Sequence, residues 1–109
     1  MLIIGIDPGI TGSICFFQDG KIIDVIEMPN MPEGKKNKKQ DNGALIYFVR
    51  PAKWKKYFNL INSEKDASRT RAIEIFPYFS SQLSRKKDSN KADAILIASF
   101  YYETYKTEE

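Results

Sequence analysis

Residues 3–12 read Ile3-Ile-Gly-Ile-Asp7-Pro-Gly-Ile-Thr-Gly12. A β-branched run carries one carboxylate, Asp7, to the point where a strand ends, and Pro8 and Gly9 turn the chain straight after it. Gly9 and Gly12 keep side chains away from that acid, so a phosphate or metal ion has room to approach the backbone. An acid on the last rigid residue of a strand is well held, as a metal ligand or general base must be. A plainer reading also fits: an Asp in a tight turn that hydrogen-bonds its own backbone.

Working outward, residues 2–6 and 13–18 read as strands. Asp19-Gly20 is a hairpin signal, and residues 21–28 form a third strand. An antiparallel meander is expected. Residues 29–43 then change character, with Pro, Gly, Asn and Lys and almost nothing apolar. They read as a basic flexible linker inside a single domain spanning residues 1–109. Residues 44–49 are short and apolar enough for a fourth strand. Residues 51–58 suit a short helix carrying Trp54. Ser63 reads as the cap of a helix running to Phe76, with Asp66 as its capping-box partner. Residues 78–83 form a short amphipathic stretch. Asn90 caps a last helix, residues 91–105, that is apolar over much of its circumference and therefore buried.

Composition narrows the chemistry. The chain has 109 residues and no histidine, which excludes histidine triads, bases and zinc sites. Cys15 is the only cysteine, so no internal disulfide can form. Hydrolytic chemistry would then rest on carboxylates with Mg²⁺ or Mn²⁺, which favour oxygen ligands. Seventeen Lys and Arg against 14 Asp and Glu give a net charge of +3. The basic residues cluster as Lys35, Lys36, Lys38 and Lys39, as Lys53, Lys55 and Lys56, and as Arg85, Lys86 and Lys87. Three such clusters suit a polyanion, although each alone also reads as solvated surface. No apolar run reaches membrane-spanning length and the N-terminus lacks a basic leader, so a cytoplasmic location is expected.

Asp93 falls in the first turn of the last helix, near its apolar side. Complementation of the helix dipole accounts for one acid there. Paired with Asp7 at one sheet edge, it could instead share a divalent ion. Two carboxylates about 4 Å apart repel by roughly 4 kcal/mol at an effective dielectric of 20 unless a cation lies between them. Asp88, just before the helix, is a candidate third ligand.

Several motifs in order resemble the RuvC-type Holliday junction resolvases, most closely their phage-like branch. They are Ile-Gly-Ile-Asp7-Pro-Gly-x-Thr-Gly, the hairpin ending in Met28-Pro29, and Val49-Arg-Pro-Ala-Lys-Trp54-Lys-Lys. Ser68-Arg69-x-Arg71-Ala72, Ile75-Phe76-Pro77 and Arg85-Lys-Lys-Asp88-x-Asn-Lys-Ala-Asp93-Ala follow. The resemblance implies an α/β, ribonuclease H-like mixed sheet flanked by helices. It implies a carboxylate cluster binding two Mg²⁺ or Mn²⁺ ions, with branched DNA cut during recombination and repair, in a homodimer. Asp7 matches the first acid and Asp93 the acid of the last helix. Asp88 is the nearest match for its partner, while Asn90 stands where relatives often carry Asp. The three basic clusters would contact phosphates.

One departure is large. In the family a further strand follows the linker, bears an essential Glu, and leads into a helix. Here Asp41-Asn-Gly43 runs directly into Ala44-Leu-Ile-Tyr-Phe-Val49, so one strand, one helix and that Glu are missing. Glu27 and Glu33 are the nearest upstream acids, but neither lies in the family's motif. The loss is expected to expose sheet edge and apolar surface. Two functions follow: a metal-dependent junction endonuclease, or a catalytically inactive, internally deleted relative that at most binds nucleic acid. Asp-x-Gly-x-Thr-Gly also occurs in sugar kinases and actin-like proteins, whose paired domains this chain is too short to form.

Overall fold

The structure, a computed structural model, describes residues 2–7, 12–27 and 49–108. Strands β1 (Leu2–Asp7), β2 (Ser13–Gln18) and β3 (Lys21–Glu27) form an antiparallel sheet in the order β1-β2-β3. Helices α1 (Pro51–Tyr57), α2 (Ala67–Ile75) and α3 (Ser89–Glu108) follow, with 3-10 segments at Pro77–Leu83 and Lys86–Asp88. The chain is thus an α/β domain built on the expected meander. The basic linker and residues 44–48 of the expected fourth strand lie outside the described residues.

The sheet is made by alternation. Ile3, Gly5 and Asp7 on β1 stand opposite Phe17, Cys15 and Ser13 on β2, and these positions face α3. Asp19 and Gly20 take positive φ values of 54° and 83°, the conformation of the two-residue hairpin turn that matches strand twist. One extra residue, Ile23, is inserted where Phe16 and Phe17 pair with Asp24 and Ile22. Nearby the Ile22 amide donates to Tyr78 Oη at 3.0 Å, so the 3-10 segment covers part of the β3 edge. On the opposite face Leu2, Ile4, Ile6 and Ile26 are exposed.

α3 supplies more of the core than any other element. Its Ala92, Ala94, Ile95, Leu96 and Ala98 have no solvent exposure. Small residues let it lie close on the sheet, and Gly5 makes the closest approach possible. A Cβ added at Gly5 would stand 2.5 Å from the Ala94 carbonyl oxygen and 2.9 Å from Ala98 Cβ. Farther along, Phe17 packs against Tyr102 and edge-on against Phe76, with ring centroids 5.6 and 5.8 Å apart. α1 docks through buried Trp54 and through Tyr57, which packs edge-on against Phe100 and donates to Glu103 Oε1 at 2.6 Å.

Two helix starts differ from expectation. α2 begins at Ala67, four residues after Ser63. Asn59 and Asn62 adopt φ values of 64° and 66°, which prolongs the turn, and the Ser63 amide bonds the Leu60 carbonyl inside it. Asp66 makes no side-chain cap. Its carboxylate instead receives Arg69 Nε and Nη2 at 2.8 and 2.9 Å. α3 begins at Ser89, ahead of the expected Asn90 cap, because the 3-10 turn Lys86–Asp88 leads directly into it. Asp93 therefore lies beyond the first turn, and the helix dipole does not account for it. Among the described residues no helix is long and apolar enough to cross a membrane.

A paired-carboxylate candidate site

Three elements converge at one end of α3. β1 ends with Asp7. Directly across from it, β2 begins with Ser13, whose partner on the other side is Glu27 at the end of β3. Because Gly5 lets α3 lie close, the start of that helix comes down beside this row, where the charge of Asp93 acts on Asp7. Asp93 is 7% exposed.

Burial pushes the Asp7 carboxyl above its ordinary range, and the charge of Asp93 pushes it further. The cations Lys65 and Lys55 pull it back. Lys65, in the turn before α2, is the direct partner. Its Nζ lies 3.0 Å from Asp93 Oδ2 and 3.0 Å from Asn90 Oδ1. The lysine side chain is 63% exposed and the aspartate 10%. The charge of Lys55 acts on Asp7 from α1, with its ammonium 5.7 Å from the centre of the Trp54 ring.

Ser13 adds a donor that sequence reading passed over. It has no exposure, and its hydroxyl has no hydrogen-bond partner among the described residues. Directly opposed strand residues hold their Cβ atoms about 4.5–5.5 Å apart, so this hydroxyl stands beside Asp7. Its alternation with Cys15 and Phe17 is the signal that could have found it: a polar residue at an inward strand position. Cys15 itself is packed in the core, where burial first and Asp24 second push its thiol up to about 12.

Asp88 belongs to a different arrangement. It is 1% exposed and accepts the Arg85 backbone amide at 2.9 Å, Arg85 Nη2 at 3.1 Å and Arg85 Nε at 3.3 Å. Lys91 Nζ is 3.6 Å away. Burial raises this carboxyl, but the Arg85 hydrogen bonds and the two cations outweigh burial and hold it below the ordinary range. Its oxygens are thus occupied in fixing the turn into α3. Glu27 shares the row of Asp7 and Ser13 but stands two strand spacings from Asp7, about 9.6 Å. It is exposed and acts on Arg85. Among the described residues no three acidic or thiol side chains gather as a metal site. Glu33 lies outside the described residues.

Of the basic clusters, Lys53 and Lys56 are exposed on α1 and Lys55 is half-buried beside the site. Arg85, Lys86 and Lys87 are exposed ahead of α3, with Arg85 tied to Asp88. Lys35, Lys36, Lys38 and Lys39 lie outside the described residues. No protein-family model and no curated protein matches the chain.

Proposed function

We propose that this chain is a ribonuclease H-like relative of the RuvC-type resolvases, and that its Asp7–Asp93 pair takes Mg²⁺ or Mn²⁺ against the phosphodiester backbone of branched DNA. The observation that carries this reading is the meeting of a strand-end Asp and a helix Asp beside a buried hydroxyl that has no partner among the described residues. Two carboxylates and a hydroxyl are hard oxygen donors, the set these ions prefer. When bound, the cation would activate water and stabilise the leaving oxygen. The remaining work falls to the chain's own residues. Gly5 holds the two acids in register, and Lys55 and Lys65 offset their repulsion. Lys53 and Lys56 of α1, with Lys86 and Lys87, offer charge to phosphates on either side.

A second reading has its own support. With two acids rather than three gathered among the described residues, and an ammonium already on one of them, the site also suits a relative that binds DNA without cutting it. A four-way junction incubated with Mg²⁺ or Mn²⁺ separates the two. Nicking that disappears in Asp7→Asn supports the nuclease. Absence of nicking at every metal concentration, with binding that weakens steeply as salt rises, supports the binding relative and overturns the nuclease.

A further inference from the structure

We infer that Lys65 is a built-in counter-cation that a divalent ion must displace from the Asp7–Asp93 pair, and that the Ser13 hydroxyl is the third donor waiting for that ion. This rests on the metal-site reading above but not on cleavage. Lys65 Nζ sits 3.0 Å from Asp93 Oδ2, and its charge also acts on Asp7, so one ammonium serves both acids. Lysine donates as a compact point charge and fixes no planar geometry, so it can stand in for a small cation. It is also the replaceable member of the cluster. Its side chain is 63% exposed and can swing into water, whereas Asp93 at 10% and Ser13 at 0% cannot. An ammonium has no acceptor lone pair, so it cannot ligate a metal ion, and repulsion between the two cations drives it off the carboxylates when one binds. Ser13 shows that the place has a use beyond an ion pair. A fully buried hydroxyl without a partner among the described residues carries a desolvation cost, and an oxygen-seeking cation beside Asp7 would relieve it.

The test is calorimetric titration of the full chain with MnCl₂ at low ionic strength, after removal of metal with EDTA. Lys65→Met is expected to bind Mn²⁺ about two- to fivefold more tightly than wild type, since the largely exposed ion pair with Asp93 is lost and the ammonium no longer acts on Asp7. Lys65→Arg, which keeps the charge, should not tighten binding. Ser13→Ala should weaken binding several-fold, and Ser13→Thr, which keeps the hydroxyl, should weaken it less. Because Lys65 is at the surface, its variants report on binding rather than folding. Equal or weaker Mn²⁺ binding by Lys65→Met overturns the exchange, as does the absence of Mn²⁺ binding by both proteins. Unchanged binding by a folded Ser13→Ala removes Ser13 from the donor set. If exchange is observed but junction DNA is not cut, the nuclease reading fails and this one stands.

Discussion

Asp88, buried, and Asp7, half-buried, are acids at the ends of elements packed on α3, yet their surroundings push them in opposite directions. Asp88 is wrapped by Arg85 and Lys91 and held below its ordinary range. Asp7 faces a second acid and is pushed above it. The first arrangement is self-sufficient: donors from the same turn satisfy the carboxylate. The second depends on cations supplied from elsewhere in the chain. A buried acid whose local hydrogen bonds are complete is a structural device, and one that relies on distant charge is where a ligand has something to gain.

The largest effect should come from the residue that creates the second arrangement. Gly5→Val forces side-chain atoms against the Ala94 carbonyl and Ala98, so α3 must lift from β1. Overpacking of this kind costs typically 1–3 kcal/mol, and contact with backbone puts this site at about 3 kcal/mol or more. Urea unfolding should show the loss. Metal binding should fall with it, because Asp7 and Asp93 part. The Asp88 turn is local in sequence and should survive. A Gly5→Val protein with wild-type stability and Mn²⁺ affinity would mean that close approach does not build the site.

Asp88→Ala comes next. It removes the acceptor of three Arg85 bonds at the start of the longest helix and should cost about 2 kcal/mol, as loss of a helix-start anchor and its charged hydrogen bonds does. Mn²⁺ affinity should not change. Asp7→Asn should do the reverse, leaving metal-free stability equal or slightly raised while abolishing Mn²⁺ binding. Equal loss of binding in both variants would erase the distinction between the two acids.

The same contrast predicts opposite pH slopes in EDTA. Asp88 has a folded pKa below 3.8, so its stabilisation is fully present above that value and is lost as pH falls through the folded pKa. Asp7 has a folded pKa above 3.8, so it destabilises the fold at neutral pH, and that penalty is relieved as pH falls toward 3.8. The advantage of Asp7→Asn over wild type should therefore shrink on acidification from pH 7 to pH 4, while that of wild type over Asp88→Asn should hold to about pH 4 and shrink below it. Parallel slopes in denaturant midpoint would show that the two carboxyls share one environment.

These distinctions were only partly legible in the sequence. The meander was readable because Ile3, Cys15 and Phe17 alternate with outward residues and Asp19-Gly20 marks the turn. Trp54 and the apolar α3 were readable for similar reasons of pattern. Asp7 and Asp93 stood out as carboxylates placed against apolar runs. What stayed hidden depends on distance along the chain. Lys65 drew no notice in the first turn of the helix expected after Ser63, because nothing near it in sequence reveals Asp93 as its partner. Asp88 looked like a ligand because its spacing to Asp93 does not show that Arg85 has claimed it. The start of α2 was misplaced because positive φ at Asn59 and Asn62 extends the turn, and because the Asp66 carboxylate prefers Arg69 to a cap. Ser13 was passed over because its isolation appears only once the strands are paired.

The smallest effect compares the two lysines that partner the two kinds of acid. Lys91 lies 3.6 Å from Asp88 Oδ1 and is 15% exposed, and it only supplements Arg85. Lys91→Met should therefore cost no more than about 1 kcal/mol, within the range of ordinary ion pairs, and should leave Mn²⁺ affinity untouched. Lys65→Met removes a cation shared by two acids and should lower metal-free stability by a similar small amount, but Mn²⁺ should restore the loss. Melting each variant with and without MnCl₂ reads both effects in one experiment. Mn²⁺ should raise the melting temperature of Lys65→Met more than that of wild type, because the ion takes over a role the ammonium has vacated. It should shift Lys91→Met by the same amount as wild type, because Asp88 never shared that role. If Mn²⁺ shifts both variants equally, the two lysines are equivalent surface charges and the contrast between the two acids loses its functional meaning.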